Sequence, residues 1–376
     1  MNTLIIGGAG FIGSHTADAL LARGHRVRIL DSLEQPVHTG AWPGYVDPRI
    51  DLRRASIADR SELTAALDGI DFVFNFAAYQ DYLTDFSRFF TTNAAGTALI
   101  YEIIVNERFP VRKIVVASSQ AVFGEGLYRC ASHGDQQPGP RPRAQLDLGA
   151  WNVICPVCSG PMDVLPIRET YANPQTCYGL SKRAQEEIAL TLGRQYGIPS
   201  VALRYSIVQG TRQSLRNAYS GALRSFTMRA LCGEPPVLFE DGGQLRDYVS
   251  VHDVVRANLL ALEDDRACFQ AYNVGGDRRV SVLQLARMVI ASTNAKVAPE
   301  VPGIFRVGDS RHVVSDVSKL RSLGWQPLVS QQDIVREYVE WAASQHELHD
   351  AFADARRRMT AAGVLQRLQV HSKEAA

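Results

Sequence analysis

The first 205 residues alternate short apolar runs with longer stretches of helical periodicity. Thr3–Ile6, Arg26–Leu30, Phe72–Phe76, Lys113–Ala117 and Ser200–Leu203 are β-branched or continuously apolar, the pattern of strands buried on both faces. Between them His15–Ala22, Ser61–Leu67, Thr91–Val105 and Lys182–Tyr196 repeat apolar residues at helical spacing. Strand and helix in alternation predict βαβ units, hence a doubly wound α/β domain with a parallel sheet over residues 1–205.

Two segments depart from that rhythm. From Leu127 to Arg168 the chain turns rich in Pro, Gly and polar residues, which predicts an insertion over 127–168 and not a linker. After Tyr205 the strict alternation stops. Helices are expected at Ala218–Cys232, Val251–Leu262 and Val282–Ser292 and a strand at Ala271–Val274, together a smaller mixed α/β substrate domain over 206–330. Residues 331–376 are expected to form a charged helical tail exposed to solvent, most polar at Asp350–Thr360.

Composition narrows the function classes. The 376 residues are 46% hydrophobic, ample for buried cores, and 40 basic against 39 acidic side chains leave a formal charge of +1. With no global field, neither nucleic acid nor an anionic membrane is an expected partner, and an anionic ligand has to be held by local geometry. No apolar run approaches the roughly 20 residues that span a bilayer, and Met1 runs directly into a strand, so the expectation is a cytoplasmic protein.

The strand Thr3–Ile6 leads into Gly7-Gly8-Ala9-Gly10-Phe11-Ile12-Gly13 and then a helix. Glycines let such a turn close and let its N–H groups approach a pyrophosphate at the helix N-terminus, the Rossmann arrangement for a dinucleotide. Asp31 ends the second strand, where a carboxylate accepts from an adenosine ribose diol and repels a 2′-phosphate. NAD is therefore expected over NADP. Further on, Tyr178 and Lys182 stand at i and i+4, on one helix face. A cation beside a phenol stabilises phenolate, which makes the tyrosine a general base for a hydroxyl proton. A hydroxyl at the strand end Ser118-Ser119 would then reach the reacting oxygen, since such sheets bind ligands beyond their strand C-termini.

The glycine turn, Ser118–Gly124, Tyr178 to Lys182 and Arg246-Asp247-Tyr248-Val249 resemble the extended short-chain dehydrogenases of the sugar-nucleotide epimerase/dehydratase family, over about residues 1–330. The resemblance implies Ser119, Tyr178 and Lys182 as catalytic residues. It implies Gly7, Gly10, Phe11, Ile12, Gly13, Asp31, Ser56, Ile57, Ala77 and Asn93, with Tyr178 and Lys182, around NAD. For the nucleotide-sugar substrate it implies Gln120, Ser206, Asn217, Arg224, Arg246 and Arg311. It also implies a homodimer joined through the helices near Thr91–Val105 and Lys182–Tyr196.

Family members that remove water carry Asp-Glu after the catalytic Ser/Thr, whereas Gln120 and Ala121 stand here and neither serves as a general acid or base. A 4-epimerase needs no such pair. Arg204-Tyr205-Ser206-Ile207 replaces the family's usual Arg-Tyr-Phe-Asn run. Together with Ser206–Gly210, Asn217–Gly221 and the cysteine-bearing insertion, this resembles the dTDP-L-rhamnose 4-epimerase branch, whose product is dTDP-6-deoxy-L-talose. Other expectations stay open: a dehydrogenase or ketoreductase that exchanges cofactor each turnover, a 4,6-dehydratase, a nucleotide-sugar decarboxylase, or a non-enzymatic NAD sensor. The last of these typically lacks the tyrosine or the lysine.

Six cysteines are too few for a disulfide scaffold in a chain of this size. Within the insertion, however, Cys130-x-x-His133 is followed after 21 residues by Cys155-x-x-Cys158. Two close pairs separated by a loop suit a tetrahedral zinc knuckle, and four protein ligands leave no open position, so the expected ion is structural. The remaining cysteines, Cys177, Cys232 and Cys268, read as packing residues.

Overall fold

The computed structural model describes residues 1–81, 84–217, 221–345 and 352–368. The apolar runs form strands covered on both sides. β1 (Asn2–Ile6), β2 (Arg26–Asp31), β3 (Asp51–Arg54), β4 (Phe72–Asn75) and β5 (Lys113–Ser119) come first. The insertion then contributes β6 (Leu127–Cys130), β7 (Gly134–Gln136) and β8 (Asp163–Leu165), a small antiparallel sheet with β6 in its centre. After β9 (Ser200–Tyr205), β10 (Ile207–Gln209) and β11 (Leu245–Ser250), the strand β12 (Gln270–Val274) completes the main sheet. Its order is β12-β9-β5-β4-β1-β2-β3, every pair parallel.

Side chains alternate across this sheet. Ile5, Ile29, Phe74, Val115 and Val201 are buried on one face, and Leu4, Ile6, Val73, Ile114, Val116 and Ala202 on the other. Each such side chain contributes about 1.5–3 kcal/mol when fully buried. The chain order reverses between β1 and β4, and such a switch opens a crevice at the strand C-termini.

Two expectations are corrected here. Ala271–Val274, expected in the smaller domain, is the seventh strand of the main sheet, in register with Ala202–Tyr205. The helix Val251–Glu263 likewise covers that sheet: Asn258 donates to Thr16 Oγ1 at 3.0 Å and accepts from the Tyr205 hydroxyl at 2.6 Å. The strand β3 had no apolar pattern to announce it, because its residues are mostly exposed at the sheet edge.

The smaller lobe gathers β10, β11, β13 (Arg279–Ser281), β14 (Ile304–Arg306) and β15 (His312–Val313) with the helices Ala222–Leu231, Val282–Thr293 and Gln331–Ala343. Residues Ala218–Ser220, expected to open the first of these helices, lie outside the described residues. The C-terminal tail is not a solvated helix. Ile334, Val335, Tyr338, Val339 and Ala342 are buried in the lobe's core, and Phe352, Ala355 and Met359 form a second buried stripe on the helix Phe352–Ala361. Beyond it β16 (Leu365–Arg367) pairs antiparallel with β14. The charged residues hid these stripes in a reading by composition; Asp350 and Ala351, part of that expectation, fall outside the described residues. Among the described residues no helix is long and apolar enough to cross a membrane.

Candidate active site

At the crevice, backbone conformation and close approach require two of the glycines. Gly7 has φ +78°, and a Cβ there would lie 2.6 Å from the Ala77 amide nitrogen on β4's exit; at Gly13 a Cβ would lie 2.4 Å from the Gly7 carbonyl oxygen. The turn therefore folds tightly under the N-terminus of the helix Phe11–Ala22, whose first N–H groups lie beside the cavity. Asp31 ends β2, buried, with its carboxylate accepting from Ala9 N at 3.0 Å and Leu33 N at 2.9 Å. Gly7, Gly10, Phe11, Ile12, Gly13, Asp31, Ser56, Ile57 and Ala77 all line one cavity of about 1210 Å³. That exceeds the roughly 300–1,000 Å³ of a single small-molecule site, so a dinucleotide leaves space for a second ligand.

Asn93 is the exception among the expected cofactor residues. It is fully buried, accepts from Tyr79 N at 2.8 Å, and donates to Tyr79 O and to Ser181 Oγ. It does not line the cavity but fixes the loop at Tyr79 that does.

The other half of the cavity holds the expected catalytic group. Thr176 caps the helix Cys177–Tyr196 by accepting from Gly179 N at 3.0 Å, which puts Tyr178 in the first turn and Lys182 one turn deeper. Both side chains line the cavity with Ser119, and the Lys182 ammonium lies 6.0 Å from the Tyr178 ring centroid. Lys182 is 1% exposed and donates to Ala117 O and Gln185 Oε1, each at 2.8 Å. Burial pushes its ammonium down to about 7. Ser119 Oγ accepts from Ala121 N at 3.1 Å, which orients the hydroxyl at the end of β5. Its neighbour Ser118 instead donates to Glu186 Oε2 at 2.7 Å, and Glu186 holds Arg204 in a buried two-point ion pair.

Of the expected substrate residues, Gln120, Ser206, Asn217 and Arg246 line the cavity, and Arg224 and Arg311 do not. Arg224 is buried and donates to the Leu215 carbonyl at 2.9 Å. Arg311 is buried in ion pairs with Glu240 at 2.9 Å and Asp241 at 2.6 Å. Gln120 lines the cavity, and its Oε1 is buried without a hydrogen-bond partner among the described residues. Ser206 donates to Asp247 Oδ2 at 2.6 Å, so it reaches the cavity as part of a bonded pair.

Three cavity residues had no signal in the sequence. Arg212 pairs with Asp18 at 2.7 Å and covers the Tyr45 ring, Tyr45 donates to Ala9 O at 2.8 Å, and Arg306 pairs with Asp309 at 2.8 Å. They come from two turns and the last residue of the three-residue strand β14, with no spacing to mark them. With Arg246 they give the cavity a cationic rim suited to phosphate groups.

The geometry has close relatives. A dTDP-L-rhamnose 4-epimerase of Burkholderia thailandensis is 33% identical over 351 residues, covering 91% of this chain and 95% of that protein. The structure of UDP-glucose 4-epimerase with UDP-glucose from Thermotoga maritima superposes with a TM-score of 0.77 at 30% identity, over 92% of this chain and all of that one. The UDP-glucose 4-epimerase of Thermus thermophilus in complex with NAD gives 0.69 at 28%, over 91% and 98%. The family model for the NAD dependent epimerase/dehydratase family matches residues 3–143 and 158–275, breaking only inside the insertion. A glycine cradle, a carboxylate at the end of β2 and a Tyr–Lys helix face, in a chain matched along this length, mean that the protein belongs to the NAD dependent epimerase/dehydratase family.

Proposed function

We propose that the protein is a cytoplasmic nucleotide-sugar 4-epimerase that interconverts dTDP-L-rhamnose and dTDP-6-deoxy-L-talose. The observation that carries this reading is the Ser119, Tyr178 and Lys182 group in one cavity with Gln120 and Ala121, and no acid–base pair, after the serine. The residues at the nucleotide end fit NAD. Side chains at Gly7 or Gly13 would collide with backbone, whereas at Gly10 only the Gly7 carbonyl comes within 4 Å, so the turn has room for a diphosphate there. Asp31 would hold the adenosine ribose, and Ser56 and Ile57 would flank the base.

Bound NAD supplies a hydride acceptor that returns the hydride to the same carbon. Tyr178 removes the proton of the sugar 4-hydroxyl and gives it back on return, while the Lys182 cation stabilises the phenolate in between. Ser119 donates a hydrogen bond to the sugar oxygen as its C4 becomes a ketone. Gln120, a cavity-lining amide, would hydrogen-bond a sugar hydroxyl, and Arg212, Arg246 and Arg306 would hold the diphosphate. Inversion at C4 would require the cavity to let the keto sugar present its other face, and a volume of about 1210 Å³ leaves room for that turn.

The same reading gives the chain a structural zinc ion on Cys130, His133, Cys155 and Cys158, and a homodimer through the outer faces of the helices Gly96–Glu107 and Cys177–Tyr196. The test is incubation of the purified protein, without added NAD, with dTDP-L-rhamnose and with UDP- and GDP-sugars, followed by proton NMR and mass spectrometry. A 4-epimer at unchanged mass from the dTDP sugar is the expected result. Epimerisation of UDP-glucose alone would transfer the assignment to the activity of the solved relatives. Loss of water, or turnover only with added NAD, would overturn the 4-epimerase reading.

A further inference from the structure

The insertion brings together donors far apart in sequence. Two turns face each other: the β6–β7 hairpin, where Cys130 pairs with Gly134, and the turn Cys155–Gly160, closed by Cys155 N to Gly160 O at 2.9 Å and Ser159 N to Cys155 O at 2.8 Å. Cys130 Sγ lies 3.5 Å from His133 Nδ1 and 3.7 Å from Cys158 Sγ, Cys155 Sγ lies 3.6 Å from His133 Nδ1, and all four donors fall within 4.8 Å of one another. Zinc bonds of about 2.3 Å to sulfur and about 2.0–2.1 Å to nitrogen in a tetrahedron set donors roughly 3.5–3.8 Å apart. A disulfide would need sulfurs at about 2.05 Å. The donor set is closed and soft, which suits zinc and leaves no place for a substrate.

The opposite side of the insertion grips the wall of the substrate cavity. Arg141 donates to Glu240 Oε1 at 2.8 Å and to the Asp309 carbonyl at 2.7 Å, and its Nε lies 3.6 Å from Glu125. Asn152, three residues before Cys155, accepts from Arg311 at 3.3 Å, and Arg311 reaches Glu240 and Asp241 in turn. Trp151 packs its ring against Phe305 at 5.7 Å. The chain these groups hold, Arg306–Ser310, lines the cavity. The insertion's buried apolar side chains are few and scattered, Leu127 and Ile167 in a small cluster with Val122, Phe123 and Val313, and Tyr128, Leu146 and Val153 outside it. A donor set that ties its two turns together therefore adds to what holds Arg141 and Asn152 in place.

We propose that the metal-bound knuckle is a clasp: zinc fixes the insertion, the insertion fixes the cavity wall at 303–312, and the ion thereby sets the affinity for the nucleotide sugar while leaving the NAD end untouched. The inference rests on the zinc assignment and on the epimerase reading, and the test separates the three. Zinc per chain is measured by plasma mass spectrometry on the full-length protein, on the double variant Cys155→Ser/Cys158→Ser, and on His133→Cys, which keeps four soft ligands. Hydrogen exchange with mass spectrometry, NAD content and the KM for dTDP-L-rhamnose follow.

We expect one zinc in wild type and His133→Cys and none in the double variant. Exchange should rise in 127–168 and 303–312 but not in 2–22, with NAD content retained and KM raised at least about tenfold. A wild-type chain without zinc, or with a Cys130–Cys158 disulfide, overturns the metal. Zinc whose loss leaves 303–312 protected, or loosens 2–22 equally, overturns the clasp. Failure of wild type to turn over any nucleotide sugar sinks the epimerase reading alone, since metal content and exchange still decide the clasp.

Discussion

At the residue scale, the Tyr178 hydroxyl is the group whose loss should separate chemistry from binding. In Tyr178→Phe the ring stays and the proton carrier goes. Turnover should fall by about 10²–10⁴-fold with NAD content unchanged, read by NMR assay and by the cofactor released on denaturation. A second prediction concerns Asp247, fully buried, whose carboxyl is pushed by desolvation from 3.8 to about 7, against the hydrogen bond it accepts from Ser206. A raised carboxylate pKa contributes stability that is complete below the unfolded value and is lost as pH rises through the folded one. Asp247→Asn cannot ionise, so its melting temperature should gain on wild type between about pH 4 and 7 and then run parallel. A constant difference across that range would show that Asp247 is ionised throughout. The residues legible in the sequence were those whose role follows from local spacing: Tyr178 and Lys182 one helical turn apart, the glycines of one turn, Asp31 at a strand end. Arg224 and Arg311 were not, because their partners, the Leu215 carbonyl and the Glu240–Asp241 pair, are set by tertiary packing that no local pattern encodes.

At the element scale, the C-terminal helix shows where composition misleads. Phe352, Ala355 and Met359 recur at helical spacing within a strongly charged segment, and three apolar residues suffice to seat it against Val237 and Ile304. Those same side chains line the cavity. A chain ending at Gln345 should keep its NAD and its main sheet but lose nucleotide-sugar affinity, with KM raised about tenfold or more, equivalent to about 1.4 kcal/mol of binding. An unchanged KM would mean that the segment covers the lobe without touching substrate. The buried strands of the main sheet were legible because continuous apolar runs have few other places to go. β3, exposed at the edge, was not, and β12 was legible as a strand but not as part of the main sheet, since neither exposed strands nor strand order are written in periodicity.

At the scale of the whole molecule, the helix Cys177–Tyr196 carries a second face besides the catalytic one. Leu180 is 48% exposed, and Ala184, Ile188 and Thr191 continue the stripe one turn at a time along the same side. Sedimentation should give a dimer for wild type and a monomer for Ile188→Arg; a wild-type monomer would remove the dimer from the reading. Because Tyr178 stands on that same helix, such a contact would share one helix with the catalytic geometry.

The return of the chain to the main sheet at β12 has a consequence for how such a protein is made and altered. The nucleotide-binding lobe is still missing its edge strand and the helix Val251–Glu263 when residue 205 leaves the ribosome, and the chain must pass out through β10, the helix Ala222–Leu231 and β11 of the second lobe before it closes. A cut or fusion at the apparent boundary would strip the first fragment of part of its core, since Val254, Val255, Ala257 and Tyr272 pack with Ile5, Val115 and Val201, and would leave β12 and the helix Val251–Glu263 in the second without their sheet. Recombining substrate lobes between relatives at that point should give insoluble chimaeras, whereas exchanging the insertion, whose ends at Leu127 and Leu165 pair directly with each other, replaces one closed module by another.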